Sequence, residues 1–326
     1  MFKVWMDVPL HESGLTIFEE GGVQIIGYAV NPNPDQPLAE IEGADAALVG
    51  SLFPGTGETF DCMPGLKVIG RIGIGVDNVD VPAATERGIC VINTPDAPTE
   101  STATFAITLM LNVARKVKLA DKVICGGTWE RWNLMGMELA GKTLGLAGLG
   151  RIGARVAEVA CVLGMKVVAF DPFISPERAA EIGVELAPDL FAVLRAADVL
   201  SLHTPLTEQT RGMIGAAEIA QLKQGAIIIN VSRGPVMDES ALLEALQSGH
   251  LAGAGLDVWN PEPPAPDNPL LQMDNVIATP HIAGVTHETR LRSNPVAAEQ
   301  IVMVLRGHRP PHLVNPDVWE KRKEIK

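Results

Sequence analysis

The sequence predicts an α/β fold with two doubly wound parallel-sheet domains. The chain has 326 residues, about twice the length of a typical domain. Short apolar segments alternate with helical patterns along nearly all of it. Several segments, such as AIIINV from Ala226, are continuously apolar, which is typical of strands that helices cover on both faces. Alternating strands and helices of this kind favour parallel sheets.

Eleven strands are predicted, five before residue 100 and six after it. They are residues 3–8, 23–29, 46–49, 67–72, 90–93, 143–147, 166–170, 199–203, 226–231, 254–258 and 276–278. Two long helices are predicted at residues 101–123 and 287–305. Pro295 lacks an N–H and is expected to kink the second helix or to start a new one. Pro-rich stretches at 31–37 and 261–269 predict surface loops.

Composition and charge exclude several classes of function. Hydrophobic residues make up 47% of the chain and charged residues 20%, as in ordinary globular proteins. A net charge of −13 disfavours general binding to nucleic acid or anionic membranes. We find no leader and no apolar run of about 18 residues, so a cytoplasmic protein is expected. The four cysteines lack metal-binding spacing; they are expected to be reduced and mostly buried, with no metal site.

A glycine-rich loop follows the predicted strand 143–147. Its glycines are Gly148, Gly150 and Gly153, spaced to permit a tight turn, the close approach of a pyrophosphate, and helix–strand packing. The N-terminus of the next helix favours phosphate, and Arg151 adds a cation. Asp171, 18 residues beyond Gly153, suits both ribose hydroxyls and repels a 2′-phosphate. NAD is therefore preferred over NADP, although Asp171 alternatively caps a turn with Pro172.

Three polar residues follow separate predicted strands of the same half. Arg233 follows strand 226–231, Glu262 follows 254–258, and His281 follows 276–278. Since ligands bind outside the carboxyl ends of parallel strands, we expect these side chains to converge. A histidine with a carboxylate partner exchanges protons, and a guanidinium binds a carboxylate. Each residue alone is more often structural. His203, at the end of strand 199–203, is expected to border the cofactor.

Six segments together resemble the D-isomer-specific 2-hydroxyacid dehydrogenase family, whose members include phosphoglycerate and glyoxylate/hydroxypyruvate enzymes. They are GRIGIGVDNVD (70–80), ELAGKTLGLAGLGRIG (138–153), HTPLTEQTRGMI (203–214), NVSRGPVMDE (230–239), GLDVWNPEP (255–263) and TPHIAG (279–284). The resemblance implies a discontinuous, flavodoxin-like substrate domain, residues 1–97 plus 286–326. It also implies an NAD-binding Rossmann domain, residues 98–285, and a hinge between the two.

The resemblance further implies hydride transfer between NAD(H) and a small D-2-hydroxy or 2-oxo acid. Arg233 would bind the substrate carboxylate and polarise the carbonyl, with His281 as general acid/base and Glu262 as its partner. The backbone amides of Ile74 and Gly75 would bind the substrate carboxylate as an anion nest. The expected cofactor contacts are Gly148, Gly150, Arg151, Ile152, Gly153, Asp171, Pro172, His203, Thr204, Pro205, Val231, Ser232, Arg233, Asp257, His281 and Gly284. Of these, Asp257 would hold the nicotinamide carboxamide. A homodimer is implied through the NAD-binding domains and residues 129–132.

Some features leave alternatives open. The alternative function is that of an NAD-sensing, corepressor-like binding protein of the same fold. A third possibility is an enzyme with another nucleotide chemistry, which usually relies on a lysine, but no predicted strand end carries a candidate lysine. No Arg or Lys stands between Lys3 and Lys67, which weakens phosphoglycerate as a substrate unless Arg131 serves across a dimer. Phe53 and Trp132 indicate an apolar wall that favours a small or hydrophobic substrate. The sequence does not identify the 2-hydroxy acid.

Overall fold

The computed structural model describes residues 1–28 and 41–323. The chain forms two units, Met1–Pro98 with Val285–Lys326, and Thr99–Gly284. These divisions lie one residue from the boundaries expected from the sequence, and the first unit is discontinuous. Ala29, the last residue of a predicted strand, and the predicted Pro-rich loop 31–37 lie outside the described residues.

All strand pairs in the described residues are parallel. The strands are β1 Phe2–Met6, β2 Val23–Tyr28, β3 Ala46–Val49, β4 Val68–Arg71, β5 Cys90–Asn93, β6 Thr143–Ala147, β7 Lys166–Phe170, β8 Glu185–Leu186, β9 Val199–Leu202, β10 Ala226–Asn230, β11 Leu251–Leu256 and β12 Val276–Ala278. Each of the eleven predicted strands corresponds to one of them. The two-residue β8 was not predicted, because so short a strand has no pattern to detect.

The helices in the same ranges connect successive strands or cover the sheets. They are α1 Glu12–Glu20, α2 Gly57–Asp61, α3 Val81–Glu86, α4 Thr99–Ala114, α5 Val117–Cys125, α6 Arg151–Val162, α7 Pro176–Glu181, α8 Leu190–Ala196, α9 Ala216–Ile219, α10 Glu239–Gln247 and α11 His287–Leu305. None of the described helices is long and apolar enough to cross a membrane.

The first unit has a five-stranded sheet in the order β2-β1-β3-β4-β5, the flavodoxin-like order. On one face α1 and α11 pack through residues such as Phe18 and Ile301. On the other face Phe53 is 1% exposed, and its ring lies 5.8 Å from that of Trp5. The expectation that Phe53 forms a substrate wall is therefore wrong, because its ring is part of the core.

The second unit has a seven-stranded sheet in the order β12-β11-β10-β9-β6-β7-β8. Apolar clusters cover both of its faces, which explains why its strands are continuous apolar runs. The strand order reverses between β6 and β9. In doubly wound sheets such a switch point, at the carboxyl ends of the strands, is where ligands bind. The fold predicted from the sequence is confirmed for both sheets.

One helix prediction is wrong, and one of the two alternatives given for another helix is excluded. The helix predicted at 101–123 is divided into α4 and α5, because Lys116 between them has a left-handed backbone with φ 53°. The Ala114 carbonyl, which would continue the helix, accepts instead from the Met137 N–H at 2.7 Å. In contrast, α11 continues through Pro295 over all its 19 residues, so the proline does not start a new helix.

The prediction of mostly buried thiols is also wrong. Only Cys90, in β5, is buried among the four cysteines, and burial raises its pKa to about 11. Cys62 follows the last residue of α2, Cys125 lies on the exposed α5, and Cys161 lies near the end of α6. Helix ends and exposed helix faces leave these three thiols at the surface.

Candidate active site

The glycine-rich loop joins β6 to α6 at the switch point of the second sheet. Gly148 has φ +96°, and a Cβ there would lie 2.8 Å from the carbonyl carbon of His203. A Cβ at Gly153 would lie 2.4 Å from the Gly148 carbonyl oxygen, whereas one at Gly150 would meet no atom within 4 Å. Gly150 is the N-cap of α6 and has no side chain to cap it. The loop therefore fits a pyrophosphate, which needs both the space over Gly150 and the helix N-terminus.

Asp171 follows β7 and lies beside this loop. Its Oδ2 accepts from the Leu149 N–H at 2.8 Å, and its Oδ1 accepts from the Phe173 N–H at 2.9 Å. The second bond is the turn-capping contact that was the alternative interpretation of Asp171. The first bond ties the carboxylate to the loop itself. A partly exposed carboxylate held at this position suits the ribose of a dinucleotide, and Arg151 and Ile152 begin the helix on the other side of the loop.

His203 extends the pairing of β9 with β6 by one residue, donating its N–H to the Ala147 carbonyl at 2.8 Å. Its Nε2 lies 2.9 Å from the Ser201 hydroxyl. Burial lowers the pKa of the imidazole to about 4, so the ring is neutral at neutral pH. Thr204 and Pro205 follow; the Pro205 carbonyl accepts from the Thr210 hydroxyl at 2.6 Å, which fixes this loop. These residues lie at the edge where the cofactor was expected.

The segment after β10 carries Val231, Ser232 and Arg233. The buried Asn230 orders it: its Oδ1 accepts from the N–H and hydroxyl of Ser232, and its Nδ2 donates to the Arg233 carbonyl at 3.0 Å. One guanidinium nitrogen of Arg233 donates to the Ser232 carbonyl at 2.7 Å. The backbone around Arg233 is therefore fixed by a side chain at the end of the preceding strand.

The segments after β10 and β11 meet at Gly234 and Trp259. A Cβ at Gly234 would lie 1.9 Å from the Trp259 carbonyl oxygen, so only glycine fits there. The indole N–H of Trp259 donates to the Thr279 carbonyl at 3.0 Å, and its backbone N–H donates to Glu262 Oε1 at 3.0 Å. The buried Trp259 thus joins the three segments that carry Arg233, Glu262 and His281.

Glu262 and His281 are in direct contact. Oε2 of Glu262 lies 2.9 Å from Nδ1 of His281, and the two side chains are 22% and 26% exposed. Since Nδ1 faces the carboxylate, Nε2 is the ring atom left to face a substrate. A carboxylate in this position fixes the ring orientation and stabilises the imidazolium, which is the arrangement that general acid–base catalysis requires.

Asp257 orders the loop that carries His281. It is fully buried, and its carboxylate accepts from the Ile282 and Ala283 N–H groups and from the Thr279 hydroxyl. Its carbonyl accepts from the His281 N–H at 2.8 Å. His281 has φ +54°, a conformation that costs about 1–2 kcal/mol for a non-glycine residue. These hydrogen bonds offset that cost, while the contact of Asp257 with nicotinamide stays a prediction.

Ile74 and Gly75 lie in the first unit, in the turn after β4. Gly73, which precedes them, has φ +126°, and its N–H donates to the Thr94 hydroxyl at 2.8 Å. The Ile74 carbonyl accepts from the Asn93 side chain at 2.7 Å. These two hydrogen bonds tie the turn to β5 and to the residue that follows it.

The sequence predicts Arg233, Glu262 and His281 at the carboxyl edge of adjacent strands, and in the structure they follow β10, β11 and β12. The structure brings Glu262 and His281 into contact and joins the Arg233 segment to them through Gly234 and Trp259. Asn230 and Trp259 were missed. A buried Asn at the end of an apolar strand was the available signal for the first; none pointed to the second.

Comparison with known proteins shows the family of the chain. Residues 107–283 match the D-isomer specific 2-hydroxyacid dehydrogenase, NAD binding domain. The chain is 43% identical to D-3-phosphoglycerate dehydrogenase of Archaeoglobus fulgidus over 94% of its length, but it spans only 58% of that curated relative. It is 39% identical to glyoxylate reductase of Korarchaeum cryptofilum, over 98% of each chain.

A solved structure is similar over nearly the whole chain. The TT0316 protein from Thermus thermophilus has a TM-score of 0.87 and 39% identity, covering 96% of this chain and 100% of that one. The second unit corresponds to the NAD-binding domain of the matched family. The prediction that the cofactor is NAD is thereby confirmed. The chain belongs to the D-isomer specific 2-hydroxyacid dehydrogenase family.

Proposed function

We propose that the protein transfers a hydride between NAD(H) and a small D-2-hydroxy or 2-oxo acid. The observation that carries the proposal is the 2.9 Å contact between Glu262 and His281 at the strand edge that also carries the glycine-rich loop. An acid–base pair next to a dinucleotide loop serves carbonyl reduction. The relatives reported above are named as enzymes, which favours this function over a corepressor-like binding protein.

In the proposed reduction, His281 donates the proton from Nε2 to the carbonyl oxygen of the 2-oxo acid. Glu262 accepts the hydrogen bond from Nδ1 and stabilises the charged ring before the transfer. Bound NADH supplies the hydride, so the carbonyl gains one hydride and one proton and becomes a hydroxyl. Arg233 binds the substrate carboxylate and polarises the carbonyl, because its guanidinium is planar and permanently charged.

The cofactor proposal is NAD rather than NADP. Gly148, Gly150 and Gly153, with the start of α6, would hold the pyrophosphate, and Asp171 would accept from the ribose hydroxyls. A fixed carboxylate at Asp171 repels a 2′-phosphate. Pro172, His203, Thr204, Pro205, Val231, Ser232, Asp257 and Gly284 remain the further proposed contacts.

The turn after β4 in the first unit is proposed to bind the substrate carboxylate. Successive amides at Ile74 and Gly75 suit a carboxylate, and the hydrogen bonds around Gly73 and Asn93 keep that turn in place. The lack of Arg and Lys between Lys3 and Lys67 favours a substrate without a phosphate group. We propose a small, unphosphorylated 2-oxo acid.

We also propose a homodimer through the second unit. Trp129, Trp132 and Met135 are 70–79% exposed, and no residue of the neighbouring α5 is buried. Exposed tryptophans in a group are typical of an interaction surface. Sedimentation velocity of the parent and of Trp132→Asp tests the dimer. We expect the parent to be a dimer and the variant a monomer, and a monomeric parent would contradict the proposal.

A cytoplasmic location stays a prediction.

The function is tested by incubating the protein with NADH and a panel of acids: glyoxylate, hydroxypyruvate, pyruvate, 2-oxobutyrate and 3-phosphohydroxypyruvate. Loss of NADH absorbance with at least one unphosphorylated acid is expected, with a D-2-hydroxy acid as product. NADH binding without turnover of any acid would instead favour the binding-protein alternative.

A further inference from the structure

Asp7 is a buried carboxylate at the carboxyl edge of the first sheet, outside the residues assigned above. It follows β1 directly and is 3% exposed. Its Oδ1 accepts from the Gly50 N–H at 2.6 Å, and among the described residues its buried Oδ2 has no hydrogen-bond partner. Burial raises the pKa of Asp7 to about 6, while the Gly50 N–H and the positive charge of Arg71 lower it.

Arg71 ends β4, in the same sheet, and is 7% exposed. Its Nε donates to Asn78 Oδ1 at 3.3 Å. The amide nitrogen of Asn78 donates to the carbonyls of Gly50 and Phe53, both at 3.0 Å. Asp7 therefore binds the loop after β3 through the N–H of Gly50. Asn78 binds the same loop through the carbonyls of Gly50 and Phe53. Polar side chains thus connect the ends of β1, β3 and β4.

The guanidinium of Arg71 also lies against the turn that carries Ile74 and Gly75. A Cβ at Gly73 would lie 2.5 Å from Nη1 of Arg71, so nothing separates the cation from the turn backbone. A buried cation beside a turn raises the affinity of the turn amides for an anion, since the low dielectric of the interior weakens screening. Within the described ranges, the charged group that acts on Asp7 is the same Arg71, so an ionised Asp7 offsets that cation.

We propose that Arg71 and Asp7 are positioning residues that set the anion affinity of the turn at residues 73–75. Arg71 supplies the positive charge behind the turn, and Asp7 decreases it when ionised. The substrate carboxylate therefore binds more tightly when Asp7 carries a proton. This proposal rests on the proposed function, because it takes the anion to be the carboxylate of a 2-oxo acid.

The first test compares KM with kcat between pH 5 and 8 for a 2-oxo acid that the enzyme reduces. We expect Asp7→Asn to keep a low KM above pH 7, about 3- to 10-fold below that of the parent, with kcat changed less than twofold. Effects of His281 on KM are common to both proteins and cancel in this comparison. Parental KM values at every pH would overturn the proposal.

Asp45→Asn is the matched control. Asp45 precedes β3 at the opposite edge of the same sheet, where its carboxylate pairs with Lys67 at 2.5 Å. The Asp45→Asn variant therefore loses the same charge as Asp7→Asn, but far from the turn. It is expected to keep the parental KM. Arg71→Gln is expected to raise KM at least tenfold with kcat changed less than threefold; an unchanged KM would remove Arg71 from the proposal.

A second measurement needs no turnover and no variant that must fold. The carboxyl carbon of Asp7 is titrated by 13C NMR in the full chain, with and without oxamate. Because protonated Asp7 favours the anion, linkage requires oxamate to shift the titration to higher pH. No shift at saturating oxamate would overturn the proposal. A shift in a protein that reduces none of the acids would support this inference while the proposed function fails.

Discussion

The carbonyl oxygen of Trp259 lies over Gly234, at a distance that leaves no room for a side chain. This contact joins the segment that carries Arg233 to the segment that carries Glu262. Gly234→Ala is expected to separate them, to destabilise the fold by about 1–3 kcal/mol through overpacking, and to lower kcat/KM more than tenfold.

Gly215→Ala is the control for this variant, because the nearest atom to its Cβ would be the flexible end of Glu218 at 3.3 Å. Thermal unfolding and steady-state kinetics of both variants make the comparison. Equal behaviour of the two alanine variants would show that the Gly234–Trp259 contact does not order the site.

Removing the charge of Glu262 is expected to slow catalysis. The carboxylate orients the His281 ring through its contact with Nδ1, so Glu262→Gln should lower kcat by about 10- to 100-fold. Steady-state kinetics are measured beside those of Glu244→Gln, which changes an exposed glutamate on α10. A kcat that coincides with the parent's would contradict the proposed role of Glu262.

The cofactor preference is predicted to depend on Asp171. Asp171→Asn removes the charge that would repel a 2′-phosphate and weakens hydrogen bonds to the ribose, each worth about 1.5–3 kcal/mol when charged. We expect NADH to bind at least tenfold more weakly and the discrimination against NADPH to decrease, by fluorescence titration. Asp189→Asn, at the N-cap of α8, is the control. If Asp171→Asn binds NADH as tightly as the parent does, and NADPH as tightly as the parent does, the assignment of Asp171 is contradicted.

Asp7 and His203 are predicted to affect stability with opposite signs between pH 4 and 6. The pKa of Asp7 is raised from 3.8 to about 6, so the native state binds the extra proton and loses stability as pH rises through this range. The pKa of His203 is lowered from 6.5 to about 4, so the native state loses stability as pH falls. Each effect is at most about 3 kcal/mol.

The two contributions are separated by urea unfolding at several pH values. With Asp7→Asn, the change of stability with rising pH should be more positive than in the parent; with His203→Gln, it should be more negative than in the parent. Parallel curves for Asp7→Asn and the parent would show that Asp7 is not a buried, ionisable carboxylate.

The strands were predictable because their signal is local. AIIIN in β10, for example, is apolar throughout, as a strand covered on both faces must be. The placement of Arg233, Glu262 and His281 at one edge was predictable for the same reason, because each follows a recognisable strand of the parallel sheet. The short glycine loop at Gly148 was recognisable from spacing and context.

The features that were missed depend on contacts between distant residues. The division of α4 from α5 follows from the bond between Ala114 and Met137, which the local pattern does not contain. Phe53 was misinterpreted because its packing on Trp5 depends on the fold of the whole first unit. The role of Asp257 in ordering the loop that carries His281 likewise appears only when the strand ends are placed side by side. Asn230 differs, because its bonds to Ser232 and Arg233 are local.

The central claim is that His281, held by Glu262, exchanges the proton during reduction of a 2-oxo acid. The most direct measurement is kcat/KM of His281→Gln with NADH and the best acid of the panel, together with NADH binding by fluorescence. We predict a decrease of about 10²- to 10⁴-fold in a variant that still folds and binds NADH. A folded, NADH-binding variant with kcat/KM within threefold of the parent would contradict the account.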